Sequence, residues 1–169
     1  MPMKKYCAAF VLFVNLLIQI PSAHAVGEEK NLKGRLGVGF TSQIATTTLG
    51  NIPALSAKYY PSRSFATSAA VGFDTRSNDS AFAVGLKAYR NVFTESNLIF
   101  YLGGGLAYVN NKGNKLQPSI FLGSEFFLPQ IPSLGFSFEA GVRGDSSSGS
   151  FAIRTTGDSF LTAGTHFYF

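Results

Sequence analysis

The sequence predicts an all-β protein that folds as an eight-stranded antiparallel up-and-down barrel. Three observations indicate this fold. Stretches of about ten residues alternate between apolar and more polar side chains, which is the period of a β-strand and not that of a helix. Turn residues separate eight such stretches, an even number that lets the first strand pair with the last. The 169-residue chain is rich in Gly and Phe, and only 14% of it is charged.

The N-terminal residues predict a secretory signal peptide. Lys4 and Lys5 precede an apolar run from Ala8 to Ile20, and Ala23-His24-Ala25 fits a cleavage site after Ala25. The run is shorter than the roughly 20 apolar residues that a membrane-spanning helix needs. We therefore expect three regions: a signal peptide over residues 1–25, a short periplasmic tail over 26–33, and a transmembrane barrel domain over 34–169.

Cleavage would change the chemical groups that remain. The only cysteine, Cys7, would leave with the signal peptide, and so would His24, one of two histidines. Without Lys4 and Lys5, 12 of the 14 basic residues remain against 9 acidic residues, and they are scattered along the chain. The mature protein would therefore have no thiol chemistry, a single histidine, and no basic patch that indicates nucleic-acid binding.

The predicted strands and their connections divide the barrel into two ends. The strands cover residues 34–43, 54–60, 65–74, 80–91, 97–110, 115–128, 134–144 and 158–169. Connections at residues 61–64, 94–96 and 129–133 share one end with both termini. Connections at residues 44–53, 75–79, 111–114 and 145–157 lie at the other end, and in a membrane barrel these would be the external loops.

Each strand has one apolar face and one face of small or charged residues. Eight strands enclose a space only just wide enough for side chains. The apolar face is rich in Phe and Leu and is too bulky for that space, whereas the Gly, Ser and Ala of the other face suit it. We therefore expect the apolar face to contact lipid. A soluble lipocalin-like binding barrel is the alternative, and it would require the apolar face to point inward.

Aromatic residues gather near the strand ends, which indicates two interfacial girdles. Those near the end that carries the termini are Tyr59, Tyr60, Phe93, Phe126, Phe127, Phe167 and Tyr168. Those near the opposite end are Phe40, Phe73, Tyr108 and Phe160. The ordinary preference of strands for aromatic residues is the alternative explanation.

The inward face carries charged groups that could form a network in the lumen: Arg35, Lys58, Asp74, Lys87, Glu125, Glu139, Arg143 and His166. Isolated buried charges are costly, so buried charges must pair. We expect the two glutamates to pair with Lys58, Lys87 and Arg35 and to plug the lumen, with His166 beside Arg35. The alternative is a narrow passive channel for ions or small solutes, lined by the same groups.

No catalytic, cofactor or metal site is predicted. The single mature histidine, His166, has no Ser within two residues and lies at the wrong end for chemistry on outer-leaflet lipid. Glu125 and Glu139 are interpreted as salt-bridge partners of lysines and not as a paired-carboxylate site. A lipid-modifying outer-membrane enzyme is therefore the weakest alternative, and we expect no enzymatic activity.

The last strand resembles the C-terminal signature of bacterial outer-membrane β-barrels. Leu161, Ala163, Thr165, Phe167 and Phe169 form an uncharged row at every second position. With the signal peptide and eight alternating strands, the chain resembles the small eight-stranded barrels of that class. Residues 123–129 together with residues 134–139 also resemble a hairpin of uncharacterised members of the class.

The resemblance implies a porin-like membrane protein of a Gram-negative bacterium. Such a protein is exported through the inner membrane, inserted into the outer membrane by the barrel-assembly machinery, and surrounded by outer-membrane lipid. The resemblance implies a monomer with a structural or interaction role at the cell surface. It names no surface ligand or partner.

Overall fold

The computed structural model describes residues 23–24, 29–47, 50–76, 79–111, 113–147, 150–156 and 161–169. The predicted signal peptide lies outside the described residues except for Ala23 and His24, and Phe160 lies outside them as well. The strands are β1 (Ala23–His24), β2 (Leu36–Thr47), β3 (Gly50–Tyr59), β4 (Phe65–Arg76), β5 (Asp79–Thr94), β6 (Leu98–Asn110), β7 (Asn114–Leu128), β8 (Ile131–Ser147), β9 (Ser150–Thr155) and β10 (Thr162–Tyr168). No helix within these ranges is long and apolar enough to cross a membrane.

Eight strands close into an antiparallel up-and-down barrel, as the alternation predicts. Neighbours in the chain pair from β2 to β8, and β10 pairs with both β8 and β2. Phe167 of β10 lies opposite Val38 on one side and Leu134 on the other. β9 pairs with β8 beyond the end of β10, so β9 and β10 share the eighth position of the wall. The short β1 pairs in parallel with Phe93 and Thr94 of β5.

Two of the predicted external loops are wrong. Residues 44–47 and 50–53 belong to β2 and β3, and residues 145–147 and 150–155 belong to β8 and β9. These segments contain Ile44-Ala45-Thr46-Thr47 and Phe151-Ala152-Ile153, whose β-branched and aromatic residues favour strands. The strand ladders therefore continue beyond the positions at which Ser, Gly and Pro predicted turns.

The apolar face points outward along the whole wall, as predicted. Phe73, Leu86 and Leu122 are 69%, 58% and 59% exposed. The interior contains two apolar clusters, one at each end of the barrel. The cluster at the end of the termini consists of Leu32, Tyr60, Ala66, Tyr89, Ile99, Tyr101, Phe121, Phe127 and Tyr168. The cluster at the opposite end consists of Ile44, Ala45, Ile52, Ala54, Ala81, Ala83, Ala107 and Val109.

The β2–β3 hairpin leaves the wall and turns into the barrel. β2 pairs with β10 only as far as Thr41, and β3 pairs with β4 only from Leu55. Between these strands the register shifts after Thr41, where Pro53 lies on the opposite strand. Proline has no N–H to donate and is tolerated at such bulges. We call residues 42–47 and 50–54 the inward hairpin; its side chains Ile44, Ala45 and Ile52 form part of the second apolar cluster.

Candidate functional site

The lumen near the termini is built around one fully buried carboxylate. Glu125, near the end of β7, is 0% exposed. Lys58 of β3 donates to its Oε2 atom at 2.8 Å, and the hydroxyl of Tyr60 donates to the same atom at 2.8 Å. The hydroxyl of Tyr168 donates to Oε1 at 2.6 Å. Three charge-assisted hydrogen bonds, two from the end of β3 and one from the end of β10, therefore stabilise the buried charge of Glu125.

Lys58 is enclosed by aromatic rings as well as by its carboxylate. Its Nζ lies 4.4 Å from the ring centroid of Tyr89, 4.7 Å from that of Tyr101, and 5.3 Å from that of Tyr60. The hydroxyl of Tyr89 is hydrogen-bonded to Ser68 at 2.9 Å. Aromatic faces attract a desolvated cation, so these rings offset part of the hydration that the lysine has lost.

A second ion pair lies further along the lumen. Lys87 of β5 contacts Glu139 of β8 at 2.5 Å. The hydroxyl of Tyr101 donates to Oε1 of Glu139 at 3.3 Å, which links this pair to the rings around Lys58. Phe121 covers the other side, with its ring centroid 4.8 Å from Nζ of Lys87. The two ion pairs therefore lie next to each other along the lumen of the barrel.

A small polar cavity lies beside these ion pairs. Its volume is about 30 Å³, and Ser56, Lys87, Glu139 and His166 are among the residues that line it. Oγ of Ser56 lies 2.8 Å from Nε2 of His166. A serine and a histidine at this distance can act as nucleophile and base. This cavity, however, has room for only about two water molecules and not for a substrate.

The inward hairpin closes the opposite end of the lumen. Gly72 and Gly85 make room for it: a Cβ atom on Gly72 would lie 2.3 Å from the carbonyl oxygen of Pro53, and one on Gly85 would lie 2.9 Å from Cδ1 of Ile44. Gln117 of β7 accepts from the backbone N–H of Thr46 at 3.1 Å and donates to its carbonyl at 2.8 Å. The hairpin is thus held by apolar packing and by a strand on the far side of the lumen.

The residues before β2 close the end of the barrel at which the two termini lie. Leu32 is 2% exposed within the first apolar cluster, and the N–H of Gly34 donates to the carbonyl of Tyr60. Nζ of Lys30 donates to the carbonyl of Pro132 and lies 4.3 Å from the ring centroid of Phe127. Burial lowers the pKa of Lys30 from its ordinary value, and the nearby charge of Arg35 lowers it further.

The structure brings together some of the residues predicted for the lumen network and separates others. Lys58 pairs with Glu125, and Lys87 pairs with Glu139. Arg35 is exposed and precedes β2, so its predicted lumen position and its place beside His166 are wrong. The alternation of β2 predicts an inward Arg35, but this strand begins only at Leu36, so the alternation does not apply to Arg35. His166 contacts Ser56 instead. Asp74 is half-buried near the far end of β4, and Arg143 is buried near that end of β8.

The buried tyrosines are the main feature that sequence reasoning missed. Tyr60 and Tyr168, together with Phe127, were predicted to lie in a lipid-facing girdle, but all three are at most 1% exposed and point into the lumen. Their spacing contains the signal: Tyr60 is two residues from Lys58, and Tyr168 is two residues from His166. Side chains two positions apart in a strand share a face.

The predicted C-terminal signature lies on the outer wall. Leu161, Ala163, Phe167 and Phe169 are exposed, and Thr165 is half-buried. The N–H of Phe169 donates to the carbonyl of Leu36 at 3.0 Å, which joins the two ends of the barrel sequence. The row is therefore continuous with the apolar outer face.

The described residues contain no group of three or more His, Cys, Asp or Glu side chains that could hold a metal ion. No protein-family model matches the chain, and no curated protein matches it. Among solved structures, the chain is similar to the N-terminal β-barrel domain of Pseudomonas aeruginosa OprF, with 14% sequence identity and a TM-score of 0.55. The similarity covers 84% of this chain and 100% of that domain. At this identity the match shows the fold: an eight-stranded barrel of the kind found in an outer-membrane protein domain.

Proposed function

We propose that the protein is an integral outer-membrane barrel with a closed lumen and a structural or interaction role at the cell surface. The observation that carries this proposal is the inversion of polarity between wall and interior. Large apolar side chains cover the outside, whereas two ion pairs lie inside. A water-soluble protein of this size would normally carry its charges outside. A lipid-facing wall explains the inversion, because hydrocarbon favours an apolar surface.

The closed interior supports a non-conducting barrel over the passive-channel alternative. The inward hairpin fills one end, and Leu32 with its aromatic neighbours fills the other. Between them the ion pairs leave a cavity of about 30 Å³. A hydrated ion needs a continuous path, and these three layers interrupt it. The same closure supports a protein without enzymatic activity, since the Ser56–His166 pair has no room for substrate.

The remaining parts of the proposal follow from the barrel. We place the protein in the outer membrane as a monomer surrounded by lipid, with export and insertion by the barrel-assembly machinery. The exposed row that ends at Phe169 would be the feature this machinery recognises. Replacing Phe169 by Ala should then lower the yield of inserted protein in cells while leaving refolding in detergent micelles unchanged.

Three measurements test the proposal, two of them on purified protein and one in cells. Residues 26–169 refolded in micelles should migrate differently in gels before and after heating, and the protein should fractionate with membranes in cells. In planar bilayers the same sample should give no steady conductance. Fractionation as a soluble protein without a heat shift would contradict the membrane barrel, and steady conductance would contradict the closed lumen.

A further inference from the structure

We propose that a cavity at the end of the barrel opposite the termini binds a protonated phosphate group. This outer cavity is about 90 Å³ and is lined by Gln43, Thr46, Asn51, Gln117, Arg143, Asp145, Arg154 and Thr155. It is three times the volume of the cavity beside His166. A water molecule needs only about 10–15 Å³ by this measure, so a group of several heavy atoms fits.

Two arginines lie side by side on adjacent strands in the lining of this cavity. Arg143 of β8 is directly opposite Arg154 of β9 in the strand register, and both side chains line the cavity. Like charges at directly opposite positions destabilise a strand pair. Among the described residues of the lining Asp145 is the only acidic one, so these residues together carry a net positive charge. An anion between the arginines would relieve their repulsion.

Arg143 has a hydrogen-bond donor that the described part of the chain does not use. The residue is 6% exposed, and its Nη1 atom donates to Oγ1 of Thr46 at 3.0 Å. Among the residues that the structure describes, none accepts a hydrogen bond from its buried Nε. A guanidinium presents several donors in a fixed plane that matches the oxygen atoms of phosphate or carboxylate. The cavity therefore offers a buried charged donor that an oxoanion can satisfy.

Asp145 narrows the class of anion. Its Oδ1 atom is buried and accepts no hydrogen bond from the described residues. A sulfate or carboxylate ion at neutral pH has only acceptor oxygens. It could not donate a hydrogen bond to Oδ1 of Asp145. Inorganic phosphate carries at least one P–O–H group near neutral pH, and a phosphate monoester, whose second pKa is about 6, carries one only in its monoanionic form. This group can donate to Asp145 while other oxygens accept from Arg143 and Arg154. The donor and acceptor pattern thus favours protonated phosphate over sulfate.

Calorimetric titration of the full barrel in alkyl maltoside micelles tests the site, with folding of every sample verified by its heat-shifted gel band. Inorganic phosphate should bind saturably, and at least about tenfold more tightly than sulfate, because sulfate leaves a buried acceptor unsatisfied. Asp145→Asn should remove most of this preference. Absence of saturable phosphate binding, or equal binding of sulfate by the unmodified protein, would overturn the proposal.

Arginine variants test where the phosphate binds. Arg154→Gln should weaken phosphate binding about tenfold without unfolding the protein, because Arg154 is exposed. Arg143→Gln should weaken it at least as much. Lys115→Gln removes the same charge from the first residues of β7 but outside the cavity, and it should leave binding unchanged. Equal weakening by Lys115→Gln and Arg154→Gln would show general charge attraction and overturn the site.

A second titration distinguishes two sources of the same chemistry. Phosphatidic acid mixed into the micelles presents a lipid phosphate monoester, whereas inorganic phosphate is free in solution. Competition by phosphatidic acid at a concentration below that of free phosphate would identify a lipid head group as the occupant. Retention of full phosphate binding in its presence would identify a free phosphate or a soluble phosphate monoester.

Discussion

Replacing Glu125 by Gln should destabilise the folded barrel by about 3–5 kcal/mol, which is the typical cost of removing one partner from a buried ion pair. Glutamine has nearly the same shape, so the change leaves no cavity. It does remove the negative charge from a site that is 0% exposed, and it leaves Lys58, which is 1% exposed, without a counter-ion. The hydroxyls of Tyr60 and Tyr168 would also lose a charged acceptor.

A double-mutant cycle separates the ion pair from the packing around it. Lys58→Met alone leaves Glu125 as an uncompensated buried carboxylate and should cost about as much as Glu125→Gln. The double variant keeps no buried charge at this level, so its loss should be smaller than the sum of the two single losses by at least about 2 kcal/mol. The predicted quantity is therefore the difference between the stability lost by the double variant and the sum of the stabilities lost by the two single variants.

The assay is urea titration of the barrel in lipid vesicles, with the folded fraction read from the unheated gel band. Lys115→Met, which removes a lysine outside this cluster, serves as the control and should change stability little. Losses that add within about 0.5 kcal/mol would refute the reasoning, because independent sites show additivity of that size. Such a result would mean that Lys58 and Glu125 are each stabilised by their tyrosines and not by one another.

Three further predictions concern the inward hairpin and the tyrosines. Gly72→Val should cost about 1–3 kcal/mol in urea titrations, because its side chain would overlap the carbonyl of Pro53 in the hairpin. Ile44→Asp should place a carboxylate at a site that is 3% exposed, drive the hairpin out of the lumen, and give conductance steps in planar bilayers. Tyr168→Phe should cost about 1.5–3 kcal/mol through its lost hydrogen bond to Glu125.

Each of these variants has a matched control. Ala69→Val adds bulk to the exposed face of the same strand as Gly72 and should be nearly neutral, as should Tyr59→Phe at an exposed tyrosine. Ser42→Asp adds the same charge as Ile44→Asp at an exposed position of the hairpin, and it should give no conductance in planar bilayers. Conductance of the Ser42→Asp variant, or no conductance of the Ile44→Asp variant, would show that the hairpin does not control closure of the lumen.

The sequence predicts the barrel because its alternation depends on one local rule, the opposite orientation of successive side chains in a strand. This rule places Leu86 outside and Lys87 inside without knowledge of any neighbour. Pairing within the lumen is a different problem. Lys58 and Glu125 are 67 residues apart, and their contact depends on barrel diameter and strand stagger as well as on parity.

The inward hairpin could not be predicted from the alternation, because the bulge breaks it. Gln43, Ile44 and Ala45 are three consecutive buried residues, a pattern that belongs to neither face of a regular strand. The sequence predicts Pro53 as the end of a loop, whereas it lies opposite the bulge inside a strand. The prediction for Arg35 is wrong for a related reason. It applies the alternation of β2 to a residue that lies one position before this strand begins.

β9 gives this closed barrel an exposed edge. Within the described residues β9 pairs with β8 alone, so its other side carries backbone groups without a strand partner. Such an edge can template the addition of a strand from a second molecule, and charged side chains along it oppose that addition. Ile153, at 70% exposure, favours self-association at this edge, while the neighbouring Arg154 opposes it. Aggregation of the folded protein should therefore begin at this end of the molecule and depend on ionic strength.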